Sequence, residues 1–234
     1  ETPLSLGRLA YACRLYESMT DFCSSLTRFQ AGVCGDLDLS RQDHREALLR
    51  WLNSWGCRNL ALACHEDVSG RLASWDRSIR SQLPDREARL VDMTDDSLES
   101  FAELFNSLAH LPAREVNRKG RTFTVSFGPT AASKTLFALR PEVFVPWDEL
   151  IRRETVPDAT GASYVMFLRQ VREDLKALSR QCGENETALE SLPRLLGRPT
   201  TTPAQLVGEF YWISITRRVE PPDPDTLRKW LTWS

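Results

Sequence analysis

Apolar residues recur at helical spacing over most of the chain. Between positions 4 and 29, Leu6, Leu9, Ala10, Cys13, Leu15, Tyr16, Met19, Phe22 and Leu26 fall on one stripe. That spacing predicts one long helix, or two broken near Thr20-Asp21. A loop follows at 32–38. Ser40 reads as the N-cap of a helix over 42–55 that Gly56 stops, and helices at 57–65 and 71–83 are separated by Ser69-Gly70. Thr94-Asp95 caps a helix over 97–110, in which Leu98, Phe101, Leu104, Phe105 and Leu108 form an apolar stripe.

The regularity breaks between 112 and 128. Basic residues Arg114, Arg118, Lys119 and Arg121 are followed there by the alternating Thr122-Phe123-Thr124-Val125, which reads as a loop with a short extended piece. Helical signals resume at 131–139 and 148–154, joined by a connection over 140–146 that contains two prolines. Further helices are predicted at 162–178, 184–196, 203–217 and 225–233. With about ten helices and hardly any strand, the fold class is all-α. The chain reads as one helical unit over 1–234, with lobes at 90–182 and at 1–89 plus 183–234. It has no internal repeat.

Composition changes this picture little. The 234 residues are 41% hydrophobic and 26% charged, as in ordinary globular proteins. Thirty basic and 32 acidic residues leave a net charge of −2, so a nucleic acid would have to meet a local basic face. Six cysteines stand singly in apolar surroundings, which suits thiols in a reducing, cytoplasmic setting. Cys57, Cys64 and His65 lack zinc spacing, and neither a metal nor a cofactor is expected. No apolar run reaches the roughly 18 to 20 residues that span a bilayer, so the expected protein is a monomer without a membrane partner.

Chemistry concentrates in residues 127–153, FGPTAASKTLFALRPEVFVPWDELIRR: a glycine turn, an apolar helix, a proline-containing connection, and Asp148 opening a new helix. This order resembles the helix-hairpin-helix DNA glycosylase superfamily, the group that includes endonuclease III and 8-oxoguanine glycosylase. The resemblance covers this segment alone. It implies a two-lobed helical bundle in which Gly128 lies at a DNA-holding hairpin and Val145-Pro146-Trp147-Asp148 delivers the catalytic aspartate. Phe127-Gly128-Pro129 stands where the family has Gly-x-Gly. The window of the strand-cutting lysine is filled by Gly128, Pro129 and Thr130, with Lys134 outside it, so the resemblance implies a monofunctional enzyme. Only Cys182 lies beyond Cys64, which leaves no ligand set for the iron–sulfur cluster of the endonuclease III branch.

An aspartate suits that chemistry. Breaking an N-glycosidic bond builds positive charge on the sugar, which an ionised carboxylate stabilises. A helix N-terminus favours the charged form by about 0.3 to 1 kcal/mol. The same placement is also what an N-cap requires, so the sequence leaves a structural role for Asp148 open. Gly128, Thr130, Ser133 and Lys134 at a helix start are expected to meet DNA phosphates, as are Arg118, Lys119 and Arg121. Arg152 is expected on Asp148 or on phosphate. Trp147 and Trp51 are the candidates for a base pocket, and Trp55, Phe123, Tyr164, Tyr211 and Trp212 are available for stacking or wedging. Solvated surface and ordinary core are the competing readings of these positions.

The expected function is a monofunctional DNA glycosylase acting on a flipped, modified base in duplex DNA. Glucosylated hydroxymethylcytosine in phage DNA, a target of anti-phage defence, is one such bulky modification. The alternative is a non-catalytic helical DNA-binding or adaptor module.

Overall fold

Hydroxyl caps mark where several helices begin. In the computed structural model, which describes residues 4–57, 60, 64–118, 120–156, 158–220, 222, 225, 226 and 229, Ser5, Thr94, Thr160 and Thr202 each accept a hydrogen bond from the backbone N–H three residues on. The first stripe divides at Thr20-Asp21 into α1 (Leu6–Met19) and α2 (Phe22–Val33). α3 (Gln42–Ser54) is preceded by Arg41 rather than capped by Ser40, whose N–H is spent on Asp38 Oδ1 in the turn before it. α4 (His65–Ile79) runs through Ser69-Gly70 without a break. Val68 and Leu72, both fully buried, fix the helix to the core on either side of that glycine. Most of the helix expected at 57–65 lies outside the described residues.

The helix expected at 97–110 is divided at Ser100 into α5 (Asp95–Glu99) and α6 (Phe101–Ala109). The stretch read as a loop with a short extended piece is a paired ribbon, β1 (Pro112–Arg118) and β2 (Arg121–Ser126), the latter containing the alternating 122–125, antiparallel, with Arg118 opposite Arg121, Val116 opposite Phe123 and Arg114 opposite Val125. β-branched and aromatic residues supply its strand preference. β2 is almost wholly in solvent, so no buried face marks the strand as one. Phe127 N–H donates to Leu111 O at 2.7 Å and Gly128 N–H to Ala109 O at 2.9 Å. These bonds close the ribbon's base, so that α6 and α7 (Pro129–Leu139) meet as neighbours.

α8 (Glu149–Thr155) follows the proline connection, and α9 (Gly161–Glu184) forms a long spine against α5, α6 and α11 (Pro203–Tyr211). α9 continues six residues past the expected 178, so the helix expected at 184–196 shrinks to α10 (Leu192–Leu195). α11 ends in a wider π turn, Trp212–Thr216. Of the helix expected at 225–233, only 225, 226 and 229 are described. Among the described residues the fold is mostly helical, its one sheet is the two-stranded ribbon, and no helix is long and apolar enough to cross a membrane. Buried apolar side chains from Leu4 to Ile213 join in one core.

The segment leading to Asp148 is neither helix nor strand, yet Val143, Phe144, Val145 and Trp147 are fully buried. Buried peptide groups need partners, and here side chains provide them. Tyr164 Oη donates to Val145 O at 2.9 Å and accepts from Val145 N–H at 3.3 Å. Ser133 Oγ accepts from Trp147 N–H at 3.0 Å, and Arg152 Nη1 donates to Trp147 O at 2.8 Å. Phe105 stacks on Tyr164 at 4.6 Å and meets Trp147 edge-on at 5.7 Å, so the ring that carries the hydroxyl is itself fixed. Replacing Tyr164 by Phe strands both polar groups of Val145. A loss of about 1 to 3 kcal/mol is expected, read in a thermal melt as a Tm lower by roughly 2 to 12 °C.

Candidate functional site

Asp148 occupies the N-cap position of α8 with extended backbone, and its side chain makes no capping hydrogen bond. The carboxylate turns away from the helix amides. Its Oδ1 lies 2.8 Å from Lys134 Nζ, with the Asp148 side chain 26% exposed and that of Lys134 5% exposed. Lys134 projects from the middle of α7 and also donates to Trp55 O at 2.7 Å, with its ammonium 5.6 Å from the Trp55 ring centre. A buried ammonium is tolerated because a carboxylate, a carbonyl and a π face surround it. Cys57 lies close enough to feel both charges, and burial pushes its thiol up to about 11.

The pair faces a narrow pocket of ≈ 30 Å³ lined by Tyr16, Phe22, Trp55 and Trp212. Tyr16 meets Trp212 edge-on at 5.2 Å, and Phe22 lies 5.3 Å from Trp55 and 6.0 Å from Trp212. Burial pushes the Tyr16 hydroxyl well above its ordinary range, with Glu209 adding to the effect. Gly208 lets α11 approach: a Cβ there would stand 2.6 Å from Val145 Cγ1. The rings close to a void that holds about one water, with charge at one end.

A second polar group stands on the α11 side. Glu209, 3% exposed, is held by both Arg198 nitrogens, Nη1 on Oε2 and Nη2 on Oε1, the latter at 2.6 Å. Gln205 Nε2 donates to Glu209 Oε1 at 3.0 Å. Burial pushes the Glu209 carboxyl up and the guanidinium opposes it. A carboxyl with N–H donors on both oxygens is the ionised form.

Several expected contacts are placed differently. Ser133 is fully buried and spent on Trp147 N–H and Thr130 O, so it braces the aspartate segment and has no path to a phosphate. Lys134, expected on phosphate, is instead the partner of Asp148. Gly128 has φ +87°, a conformation that favours glycine, and its N–H is already donated to Ala109. Thr130 Oγ1 accepts from Arg152 Nη1 at 2.9 Å. Arg152 thus ties the start of α7 to Trp147 and lies over the Trp147 ring at 5.5 Å rather than pairing with Asp148.

Trp147 is core, packed against Phe105, Tyr164 and Phe167. Trp51 stacks on Phe29 at 4.9 Å and backs Trp55 from behind, outside the lining. Arg121 is exposed on the ribbon, Arg118 sits opposite it in the register, and Lys119 lies outside the described residues. On the face defined by the Arg114–Val125 and Val116–Phe123 pairs, Phe123 is half exposed.

Among the lining residues, the aromatic count in the sequence brought out Trp55 and Trp212. Tyr16 and Phe22 are hidden in it because their helical spacing is that of core. Gln205 and Glu209 had a readable signal: two polar residues at i and i+4 in the otherwise apolar run Leu206-Val207-Gly208 to Ile213.

The Lys134–Asp148 contact predicts measurable coupling. In a double-mutant cycle of Lys134→Met and Asp148→Asn followed by urea unfolding, the interaction energy is expected to be at least about 1 kcal/mol. A value of zero within error would mean that the two groups meet without energetic consequence.

The chain matches no family model, and comparison with curated proteins and with solved structures likewise found no match.

Proposed function

We propose that this protein is a DNA glycosylase that takes a modified base out of duplex DNA and hydrolyses its N-glycosidic bond, with Asp148 as the catalytic carboxylate. One observation carries the reading: Asp148 sits where a helix cap belongs, leaves the amides uncapped, and turns its carboxylate to the aromatic pocket beside Lys134. A flipped base would have to part these rings, since the void between them holds about one water. As the C1′–N bond breaks, its electron pair leaves with the base, which takes up a proton. The positive sugar is stabilised by the Asp148 carboxylate until water adds at C1′ and leaves an abasic site. Arg121 and the neighbouring ribbon arginines would meet the phosphates.

The 2.8 Å contact favours a second form of the same reaction. Asp148 takes a proton from Lys134. The free amine bonds to C1′ in place of water as the C1′–N bond breaks, and the base leaves with that electron pair and takes the proton from Asp148. The C1′–O4′ bond then breaks as O4′ takes a proton from the new nitrogen, which leaves a protonated imine to the opened sugar. The spacing argument for a monofunctional enzyme placed Lys134 outside the active site. The geometry supplies the amine from one turn further along α7.

Both forms are tested together. Duplexes carrying a panel of modified bases, glucosylated phage DNA among them, are incubated with the protein and treated with alkali to cut at abasic sites. Wild type is expected to give cleavage, and Asp148→Asn to lower it by about 10²- to 10³-fold with an unchanged circular dichroism spectrum. Borohydride trapping that yields a covalent protein–DNA product, lost in Lys134→Met, selects the amine form; no trapped product selects water. A wild type inert on the whole panel overturns the enzyme in favour of a DNA-binding module.

A further inference from the structure

A second cavity, of ≈ 200 Å³, lies where the start of the proline connection meets α9, α10 and the first turn of α11. Leu175 and Leu189 line it together with three prolines, Pro193, Pro199 and Pro203, whose fixed φ angles leave the wall little freedom to collapse. An apolar cavity of about 150 Å³ takes up a benzene ring. This one has room for a ring with a short substituent.

One charged group of its lining is left without a partner. Glu142 spends its backbone carbonyl on Leu90 N–H at 2.9 Å, and among the described residues no donor or cation is bonded to its half-buried carboxylate. Arg89, on the same wall, is fully engaged: Nε and Nη2 lie 2.7 and 2.6 Å from Asp92 Oδ2, and Nη1 holds Glu190 Oε1. Arg194, the other cation of the lining, is exposed and forms no ion pair with Glu142. Burial pushes the Glu142 carboxyl up, and the Arg89 guanidinium is near enough to oppose this. The carboxylate therefore lies toward the end of the cavity that Arg89 and Glu190 line.

We infer that this cavity is a binding site for a small organic amine, whose ammonium pairs with Glu142 and whose apolar body, about one ring in size, lies among Leu175, Leu189 and the prolines. A carboxylate drawn partly out of water without a counter-ion is stabilised by an arriving cation. The apolar wall favours a cation that carries hydrocarbon with it over a bare, strongly hydrated one. The cavity shares no lining residue with the Asp148 pocket, so this inference and the glycosylase reading stand or fall separately.

The test measures binding of benzylamine, benzyl alcohol and benzoate to the full chain by ligand-observed NMR at neutral pH. Benzylamine is expected to bind at least about 10-fold more tightly than benzyl alcohol, with benzoate weakest. Glu142→Gln, which keeps the side chain's size and the backbone bond to Leu90, is expected to bring the amine and the alcohol to within about 2-fold of each other. Ala204→Leu, which fills the cavity and leaves the carboxylate in place, is expected to weaken benzylamine by at least about 10-fold. The inference is overturned if none of the three probes binds, if the alcohol or benzoate binds as tightly as the amine, or if the preference survives Glu142→Gln. The ranking on wild type needs no variant to fold and is decisive by itself.

Discussion

A stretch of irregular backbone buried in an apolar core is the constraint around which this molecule is arranged. Phe144, Val145 and Trp147 are interior, so their peptide groups cannot be left to water and have no helix or sheet to join. Three side chains substitute for a neighbouring strand: the Tyr164 hydroxyl from α9, the Ser133 hydroxyl from α7 and the Arg152 guanidinium from α8. Each bond ties a different helix to the same few residues. Asp148 follows directly, and its position against Lys134 is inherited from that bracing.

Two buried charge pairs then flank one cavity. Lys134–Asp148 and Arg198–Glu209 each place an acid and a base where water is scarce, an arrangement that contributes little net stability and much definition of geometry. The pairs are held differently. Glu209 has both oxygens engaged, whereas Asp148 meets Lys134 through one oxygen and retains partial exposure. Asp148 is the less enclosed of the two carboxylates, and the enclosed pair helps set the shape around it.

Much of this was legible in the sequence. The stripe at 4–29, its break at Thr20-Asp21 and the cap at Thr94 all follow from local periodicity and hydroxyl placement, and the structure has them. Of the ribbon at 112–126 only the alternating 122–125 was legible; the first strand and the pairing were not, since neither strand buries a continuous face and the first is diluted by charge. The role of Asp148 was left open for a physical reason: a cap and a pocket carboxylate occupy the same backbone position and differ only in where the side chain turns. Ser133 and Lys134 were expected on phosphate, and Arg152 on Asp148 or phosphate, because polar and basic groups near a helix start suit an anion. α7 is instead buried on nearly all sides, and polar residues within it are there to satisfy other polar groups. Gln205 and Glu209 come from a helix far along the chain, and no local pattern could bring them to Asp148.

The two bonds at the foot of the ribbon, Phe127 to Leu111 and Gly128 to Ala109, join α6 to α7 as though the intervening residues were absent. The ribbon is therefore an insertion in the mechanical sense, hung on a junction that is already closed. Its length, charge and tip can drift through evolution or be redesigned while the helical scaffold keeps its registration, which makes this arm the part of the molecule freest to change.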